Sequence, residues 1–374
     1  MATTNDKEES SRPRYEVEYH VTSLDDDDSS FKVRRNGKVF HICVSPSQFV
    51  NSPATTKKYQ SYLEVLKSGE EVIDDVYDTD ALEWATQPFE SFYTELAPSP
   101  VSPGCYGDIR VTLREYLYPE VFEFVLDVVD EELRPRRVIT ENPPFSLPGA
   151  YLGEDFTGDL ETWTVLHDPA NIVLSFKNPE DALFREPRKV LIDGKTECFF
   201  KPCKSEVETI TELEVYKKIA KAGLGPHLNI CCLHGVVLGK NEHVLGILLT
   251  YIDCGDCPLS CRVDPDYPPA SVRQRWASQL DTALAELHKS GVVWGDVKAE
   301  NVLVDQDDNA WITDFGGGYT RGWVDEKMAG TVEGDLAGMA KLREFIFQDE
   351  EWMKAFLEGE RPAAIVDAVH HDDR

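Results

Sequence analysis

No apolar run in this sequence approaches the roughly 20 residues that span a bilayer, which excludes a membrane-crossing helix as an organising feature. Positive charge is scarce: 38 Lys and Arg stand against 68 Asp and Glu, a formal net charge of −30. That excess of acid disfavours nucleic acid and anionic membrane surfaces as partners. It also requires any site for a polyanion to be made locally cationic or to carry metal ions. The nine cysteines are odd in number and show no regular spacing. A disulfide framework is thereby excluded, and reduced thiols in an intracellular, cytoplasmic setting are expected. The stretch 1–14 is polar and contains acids, so it does not read as a secretory signal. No internal repeat is present.

What is there suffices for a folded protein. With 374 residues, 41% of them hydrophobic and 10% aromatic, two domains with a sizeable core are expected. After a disordered tail over 1–14, Tyr15, Val17, Tyr19 and Val21 alternate with polar residues, the period of a half-buried strand. An acidic loop, 25–30, follows. Phe31 to Val33 and Val39 to Val44 flank Asn36-Gly37, a strong hairpin signal. A helical, acid-rich stretch is predicted over 57–96, then a proline-rich connection over 97–104. Residues 116–138 contain the strand-like run Val121 to Leu126, and the Pro- and Gly-rich 141–153 suggests a boundary.

Further along, Val190 to Ile192, the turn Asp193-Gly194 and Thr196 to Phe200 predict a second hairpin. A helix is expected over 207–222, with Ile210, Leu213, Tyr216 and Ile219 on one face. Residues 232–238 and 243–251 read as buried strands. Ser271 is placed to cap a long helix with the face Val272, Trp276, Leu280, Leu284 and Leu287. Val292-Val293, Val302 to Val304 and Trp311 to Thr313 read as short strands around turns.

The chemistry sits in this second half. Val293-Trp-Gly-Asp-Val-Lys-Ala-Glu-Asn-Val302 carries Asp296, Lys298 and Asn301 at the spacing D-x-K-x-x-N, and Asp314-Phe-Gly316 follows an apolar strand thirteen residues after Asn301. Phosphoryl transfer needs a carboxylate to orient the attacking hydroxyl and accept its proton, and Asp296 fits. It needs ligands for metal ions that neutralise a triphosphate, and Asn301 and Asp314 fit. It needs cations near the transferred group, and Lys298 and Lys201 are candidates. Lys201 ends a strand, and the next helix offers Glu212 as its partner. Glu214 is the alternative, but it lies about 200° round the helix, so both cannot face the lysine. Each piece alone has a bland reading as a turn or a solvated side chain; their order and spacing distinguish the set.

On those residues, 165–345 resembles a protein-kinase-like domain. Lys189-Val-Leu-Ile-Asp-Gly194, Phe199-Phe-Lys-Pro202, Trp294-Gly-Asp296, Asp314-Phe-Gly-Gly-Gly-Tyr-Thr320, Gly322-Trp-Val-Asp325 and Gly330-Thr331 are similar to a group of kinase-like proteins of filamentous fungi, as is part of the amino-terminal portion. The resemblance implies an α+β protein: a bilobal kinase-like fold with a shortened large lobe, preceded by a strand-rich α+β domain. The expected segments are a tail 1–14, an amino-terminal domain 15–160, a small lobe 165–253, a truncated large lobe 254–360 and a flexible tail 361–374. It implies ATP and Mg2+ as cofactors, with Lys201, Glu212 and the hinge residues Thr250, Tyr251 and Ile252 on the nucleotide side. The implied partners are ATP and a hydroxyl-bearing protein or small molecule, with no nucleic acid and no membrane.

The sequence departs from the family pattern in three places. No G-x-G-x-x-G precedes Lys201, and 176–188 contains no glycine. Trp294-Gly295 stands where H-R is usual, which removes the arginine that would meet an activation-loop phosphate. Gly334-Asp335 resembles the start of the helix that braces the catalytic loop, yet lies only about twenty residues after Asp314, with no A-P-E between and 32 residues beyond Leu342. These favour two alternatives: a small-molecule kinase of the aminoglycoside-phosphotransferase type, and a nucleotide-binding pseudokinase scaffold. Among weaker signals, Cys254, Cys257 and Cys261 have C-x2-C-x3-C spacing but lack a second ligand pair for zinc. Trp294, Trp311 and Trp323 read as core aromatics.

Overall fold

The computed structural model describes residues 15–23, 25–98, 110–139, 148–255, 257–263 and 268–347. The expected tails, the greater part of the proline-rich connection, the boundary stretch 141–147 and the stretch 348–360 lie outside the described residues. Packing divides the chain into two compact units: 1–147 with 169–194, and 148–168 with the residues from 195 onward.

In the first unit, β1 (Glu16–Thr22), β2 (Ser29–Arg35) and β3 (Lys38–Val44) form an antiparallel meander. Asn36 and Gly37 make the β2–β3 turn with φ of 48° and 75°, left-handed conformations that this pair adopts at little cost. β4 (Phe49–Val50) leads into α1 (Pro53–Ser68). Then come β5 (Val72–Ile73), β6 (Val76–Tyr77), α2 (Asp78–Thr86), α3 (Glu90–Leu96), α4 (Leu113–Leu117), β7 (Glu120–Val129) and β8 (Glu132–Val138). β7 runs parallel to β3 and β4 and antiparallel to β8. Its residues Phe122, Phe124, Leu126 and Val128 are buried, and the first three share a core with Phe40, Ile42, Tyr59, Leu63, Phe89 and Tyr93.

Two details of this unit differ from the pattern in the sequence. The single helical stretch over 57–96 is three helices interrupted by the β5–β6 hairpin. Asp74 and Asp75, with φ of 48° and 61°, form its turn, because Asp tolerates the left-handed region better than most side chains. In β1 the register slips between Val17 and Tyr19, and Tyr19 and Val21 are solvent-exposed beyond that bulge.

Residues 148–168 supply β9 (Ala150–Tyr151), α5 (Glu154–Leu160) and β10 (Leu166–His167) to the second unit. The chain then returns to the first unit as β11 (Ile172–Leu174) and β12 (Lys189–Ile192), an antiparallel pair. The connection between them, where glycine is absent, is held within that unit. The Gly37 amide donates to the Leu183 carbonyl at 2.7 Å, and the Leu174 amide to the Val111 carbonyl at 2.9 Å.

The second unit continues with β13 (Thr196–Pro202), α6 (Glu206–Ala222), β14 (Leu233–Leu238) and β15 (His243–Thr250). β15 is flanked by β13 and β14, both antiparallel; β9 also pairs with β15, and β10 with β14. The Ser205 hydroxyl accepts from the Glu208 amide at the start of α6, and Gly223, φ 68°, ends it. α7 (Ala270–Lys289) buries Trp276, Leu280, Leu284 and Leu287. Its cap is not Ser271, which lies inside the first turn. Pro269 holds the N-cap position with φ −57° and ψ 152°, where a missing N–H costs nothing. Val292-Val293 lies in irregular backbone and joins no ladder; β16 (Val302–Val304) and β17 (Ala310–Ile312) pair antiparallel, and α8 (Val332–Phe347) follows. No helix among the described residues is long and apolar enough to cross a membrane. The architecture is mixed α+β with a strand-rich amino-terminal sheet.

Gly246, in β15, marks a close approach of strands. A Cβ there would lie 2.4 Å from the Lys201 carbonyl oxygen and 2.6 Å from the Phe200 ring. Gly246→Ala is expected to cost about 1–3 kcal/mol, as overpacking does. The check is a lower urea midpoint at unchanged m-value.

Candidate active site

Residues 292–301 make few regular backbone bonds, so the loop is held by its apolar side chains and by one carboxylate. Val292, Trp294, Val297 and Ala299 are buried in the core of the second unit. The Trp294 indole N–H donates to the Thr313 carbonyl at 2.8 Å. Asp335, in the first turn of α8 and 1% exposed, accepts the backbone N–H groups of Trp294 and Gly295, both at 2.8 Å. The imidazole of His288, from the last turn of α7, lies 2.7 Å from the same carboxylate. A buried carboxylate that spans two consecutive amides fixes both peptide planes. Gly295 has φ 91°, a conformation that disfavours a side chain. α8 comes this close because its inner residues are small: a Cβ on Gly338 would lie 2.7 Å from Val297 Cβ.

The loop so held presents Asp296, which is 8% exposed. Its Oδ2 lies 2.7 Å from Lys298 Nζ and 3.1 Å from Asn301 Nδ2, and Asn301 also donates to the Asp296 carbonyl at 2.9 Å. Thr320 closes the set: its hydroxyl donates to Asp296 Oδ1 at 3.3 Å and accepts from Lys298 at 3.0 Å. Gly318 lies against the carboxylate, where a Cβ would come within 3.2 Å of Oδ2. Thr320 belongs to the phrase that carries the family resemblance, but no spacing rule in the sequence assigns it to Asp296.

A second set surrounds Lys201. Its ammonium lies 2.9 Å from the Glu212 carboxylate and 2.7 Å from Asp314 Oδ1. Glu212 is buried in α6, whereas Glu214 faces solvent. Burial pushes the Glu212 carboxyl up, and the nearby Lys201 charge offsets only part of that. Burial alone would lower Lys201, but Glu212 and Asp314 outweigh it and hold the ammonium above its ordinary range. Asp314 has φ 57°, an uncommon conformation for a non-glycine residue. It follows Thr313, whose amide and hydroxyl both donate to the Asn301 carbonyl, at 3.1 and 2.9 Å. That anchor ties the Asp314 turn to the Asp296 loop. Phe315, buried after it, meets Tyr216 of α6 edge-on at 5.4 Å between centroids.

Of the expected hinge residues, Thr250 ends β15, with its hydroxyl accepting from the Cys232 amide at 3.1 Å; Tyr251 follows in irregular backbone, and Ile252 is buried in the core. Trp294 and Trp323 are core residues, and the half-buried Trp311 donates its indole N–H to Asp305 at 2.8 Å. No group of three His, Cys, Asp or Glu able to hold a metal ion occurs among the described residues, the Cys254–Cys261 set included. Glu300, within the loop, buries both carboxylate oxygens, and burial raises its pKa.

Two outcomes follow from this geometry. Asp335→Ala leaves two amides without an acceptor, at about 1–3 kcal/mol for each buried group left unpaired. Chemical denaturation measures that loss, and Asp335→Asn is expected to retain part of it. Asp305, at the β16–β17 turn, has its carboxyl held below the ordinary range. Burial acts to raise it, but donation from the Asn309 and Asp307 amides and from Trp311 outweighs burial. A depressed folded pKa adds stability above the unfolded pKa of about 3.9, which is lost as pH falls through the folded value. Unfolding curves from pH 5 downward should be flatter for Asp305→Asn than for the parent.

Residues 199–334 match the family described as protein kinase domain. The serine/threonine-protein kinase kin-29 of Caenorhabditis elegans is 29% identical over 109 residues, 29% of this chain and 13% of that protein. The fatty acyl-CoA synthetase and RNA processing-associated kinase 1 of Saccharomyces cerevisiae is 28% identical over 195 residues, 52% of this chain and 21% of that protein. The serine/threonine-protein kinase grp of Drosophila melanogaster is 41% identical over 71 residues, 19% of this chain and 14% of that protein. The chain thus spans less than a quarter of the length of each of these relatives. Over 199–334 the chain is thus similar to protein kinase domains, and the set from Lys201 to Asp314 lies within that match.

Proposed function

We propose that this chain is an ATP- and Mg2+-dependent phosphotransferase that moves the γ-phosphoryl group of ATP to a hydroxyl acceptor, a protein serine or threonine in the first instance. The observation that carries the reading is the pair of charge sets joined through Thr313: Asp296 with Lys298, Asn301 and Thr320, and Lys201 with Glu212 and Asp314. In a chain of net charge −30, Lys201 and Lys298 are the cations a triphosphate would meet, with metal ions offsetting the acids that surround them.

The donor set suits a hard divalent cation. Asp314 offers a partly exposed carboxylate, and Asn301, whose N–H groups are spent on Asp296, keeps its amide oxygen. Magnesium bound there would neutralise triphosphate charge. The protein's own part is to orient. Lys298 and Asn301 hold the Asp296 carboxylate so that it can accept the proton of an incoming hydroxyl, while Glu212 fixes Lys201 for the phosphates.

A small-molecule acceptor, as in the aminoglycoside-phosphotransferase type, is the second reading. It is favoured by Gly295, whose left-handed backbone disfavours the arginine that answers an activation-loop phosphate, and by the short stretch between Asp314 and Asp335. The named relatives are serine/threonine kinases, which favours the protein acceptor. With γ-labelled ATP and Mg2+, Asp296→Asn is expected to lower turnover by about 10²–10⁴-fold, the usual span for a lost general base, while nucleotide binding persists. Asp314→Ala should abolish metal-dependent labelling. Equal labelling by the parent and both variants, or no nucleotide binding by the parent, would sink the reading.

A further inference from the structure

The stretch 148–168 joins the second unit at both ends, through glycines that let the chain lie close. At its start, a Cβ on Gly149 would lie 2.2 Å from the Val244 carbonyl oxygen, where β9 pairs with β15. At its end, the Val236 amide donates to the Val165 carbonyl at 2.9 Å. A Cβ on Gly235 there would lie 2.4 Å from the His167 ring, where β10 pairs with β14. β15 also pairs with β13, the strand that carries Lys201. Between these anchors, Leu160 of α5 is fully buried in the core that holds Leu213, Tyr216 and Ile219 of α6, and Trp163 packs against that core. Lys217 of α6 completes the contact. Its ammonium is ion-paired with Asp159 and stands 5.9 Å from the centre of the Trp163 ring.

Glu212 and Lys217 stand five residues apart, about 140° round α6 and roughly 7.5 Å along its axis. Glu212 meets Lys201 on one face of the helix, and Lys217 meets Asp159 and Trp163 on another. A turn of α6 that carried Glu212 off Lys201 would also draw Lys217 away from Asp159. Two contacts so far apart round one rod fix its rotation, which either alone would leave free. We propose that 148–168 is a brace for α6, in which Asp159 and Trp163 are positioning residues that act through Lys217 to keep Glu212 on Lys201. The carboxylate and the aromatic face hold one and the same ammonium, so the contact survives small shifts of either. Phosphoryl transfer of this kind needs the lysine–glutamate pair in place, so the brace governs how much of the chain is ready to turn over.

The effect on turnover rests on the phosphotransfer reading; the brace does not. The Lys201 side chain is 35% exposed, so an amine-acylating reagent reaches it, and its reactivity reports whether Glu212 holds it. The full chain is pulse-labelled at limiting reagent and mapped by mass, with phosphotransfer followed in parallel and Glu212→Gln marking the unpaired level. Asp159→Lys and Lys217→Glu each set like charges together. Each should raise Lys201 labelling and lower turnover by about 2–5-fold, the span that a partly exposed ion pair supports. The double swap should restore both, which a mere loss of packing would not allow. Trp163→Ala should move labelling in the same direction as the reversals. Asp159→Asn, which removes one charge and adds none, serves where a reversal lowers the unfolding midpoint. Unchanged Lys201 labelling in the single variants, or a double swap that fails to restore it, overturns the brace. Raised labelling at unchanged turnover overturns its link to phosphotransfer. If the parent transfers no phosphate, the functional reading fails, and Lys201 labelling still decides the brace.

Discussion

The Asp335 carboxylate, buried at the first turn of α8, is the contact on which the geometry of the candidate site depends. A loop that makes almost no regular backbone bonds would otherwise sample many conformations, since each ordered residue costs about 1–2 kcal/mol of entropy. By accepting the Trp294 and Gly295 amides together, Asp335 fixes the peptide planes immediately before Asp296. Burial strengthens the restraint, because in a low dielectric those amides have no water to turn to. His288 ties the same carboxylate to α7, so two helices and the loop share one polar node.

Around that node the second unit trades side-chain volume for proximity. Gly338 lets α8 lie on Val297, and Gly318 lets the chain after Asp314 lie on the Asp296 carboxylate. Charge is distributed with similar economy. Lys201 meets two carboxylates and Asp296 meets one ammonium, so the two sets together hold three acids, Glu212, Asp314 and Asp296, against two cations, Lys201 and Lys298. The two sets are thus left slightly anionic, by one charge.

Local chemistry was legible wherever the sequence carries its own cause. Asn36-Gly37 gives its turn, the spacing of Leu213, Tyr216 and Ile219 gives a buried face of α6, and that of Trp276, Leu280, Leu284 and Leu287 gives the buried face of α7. Ser271 misled because the preceding proline already held the cap position. The helical stretch over 57–96 misled because the Asp74-Asp75 turn carries neither Gly nor Pro. Thr320 was out of reach for another reason: its bonds to Asp296 and Lys298 join residues more than twenty positions apart.

By itself the sequence determined the order and spacing of the candidate groups: a lysine, glutamate, aspartate, lysine, asparagine and aspartate. It determined this because those residue types and their short spacings are one-dimensional facts. Tertiary structure decided which of them meet. Glu212 rather than Glu214 reaches Lys201, Asp335 holds the loop, and the glycine-free stretch 175–188 packs with the first unit. Those choices depend on packing faces and burial, which arise only when distant segments exclude water together.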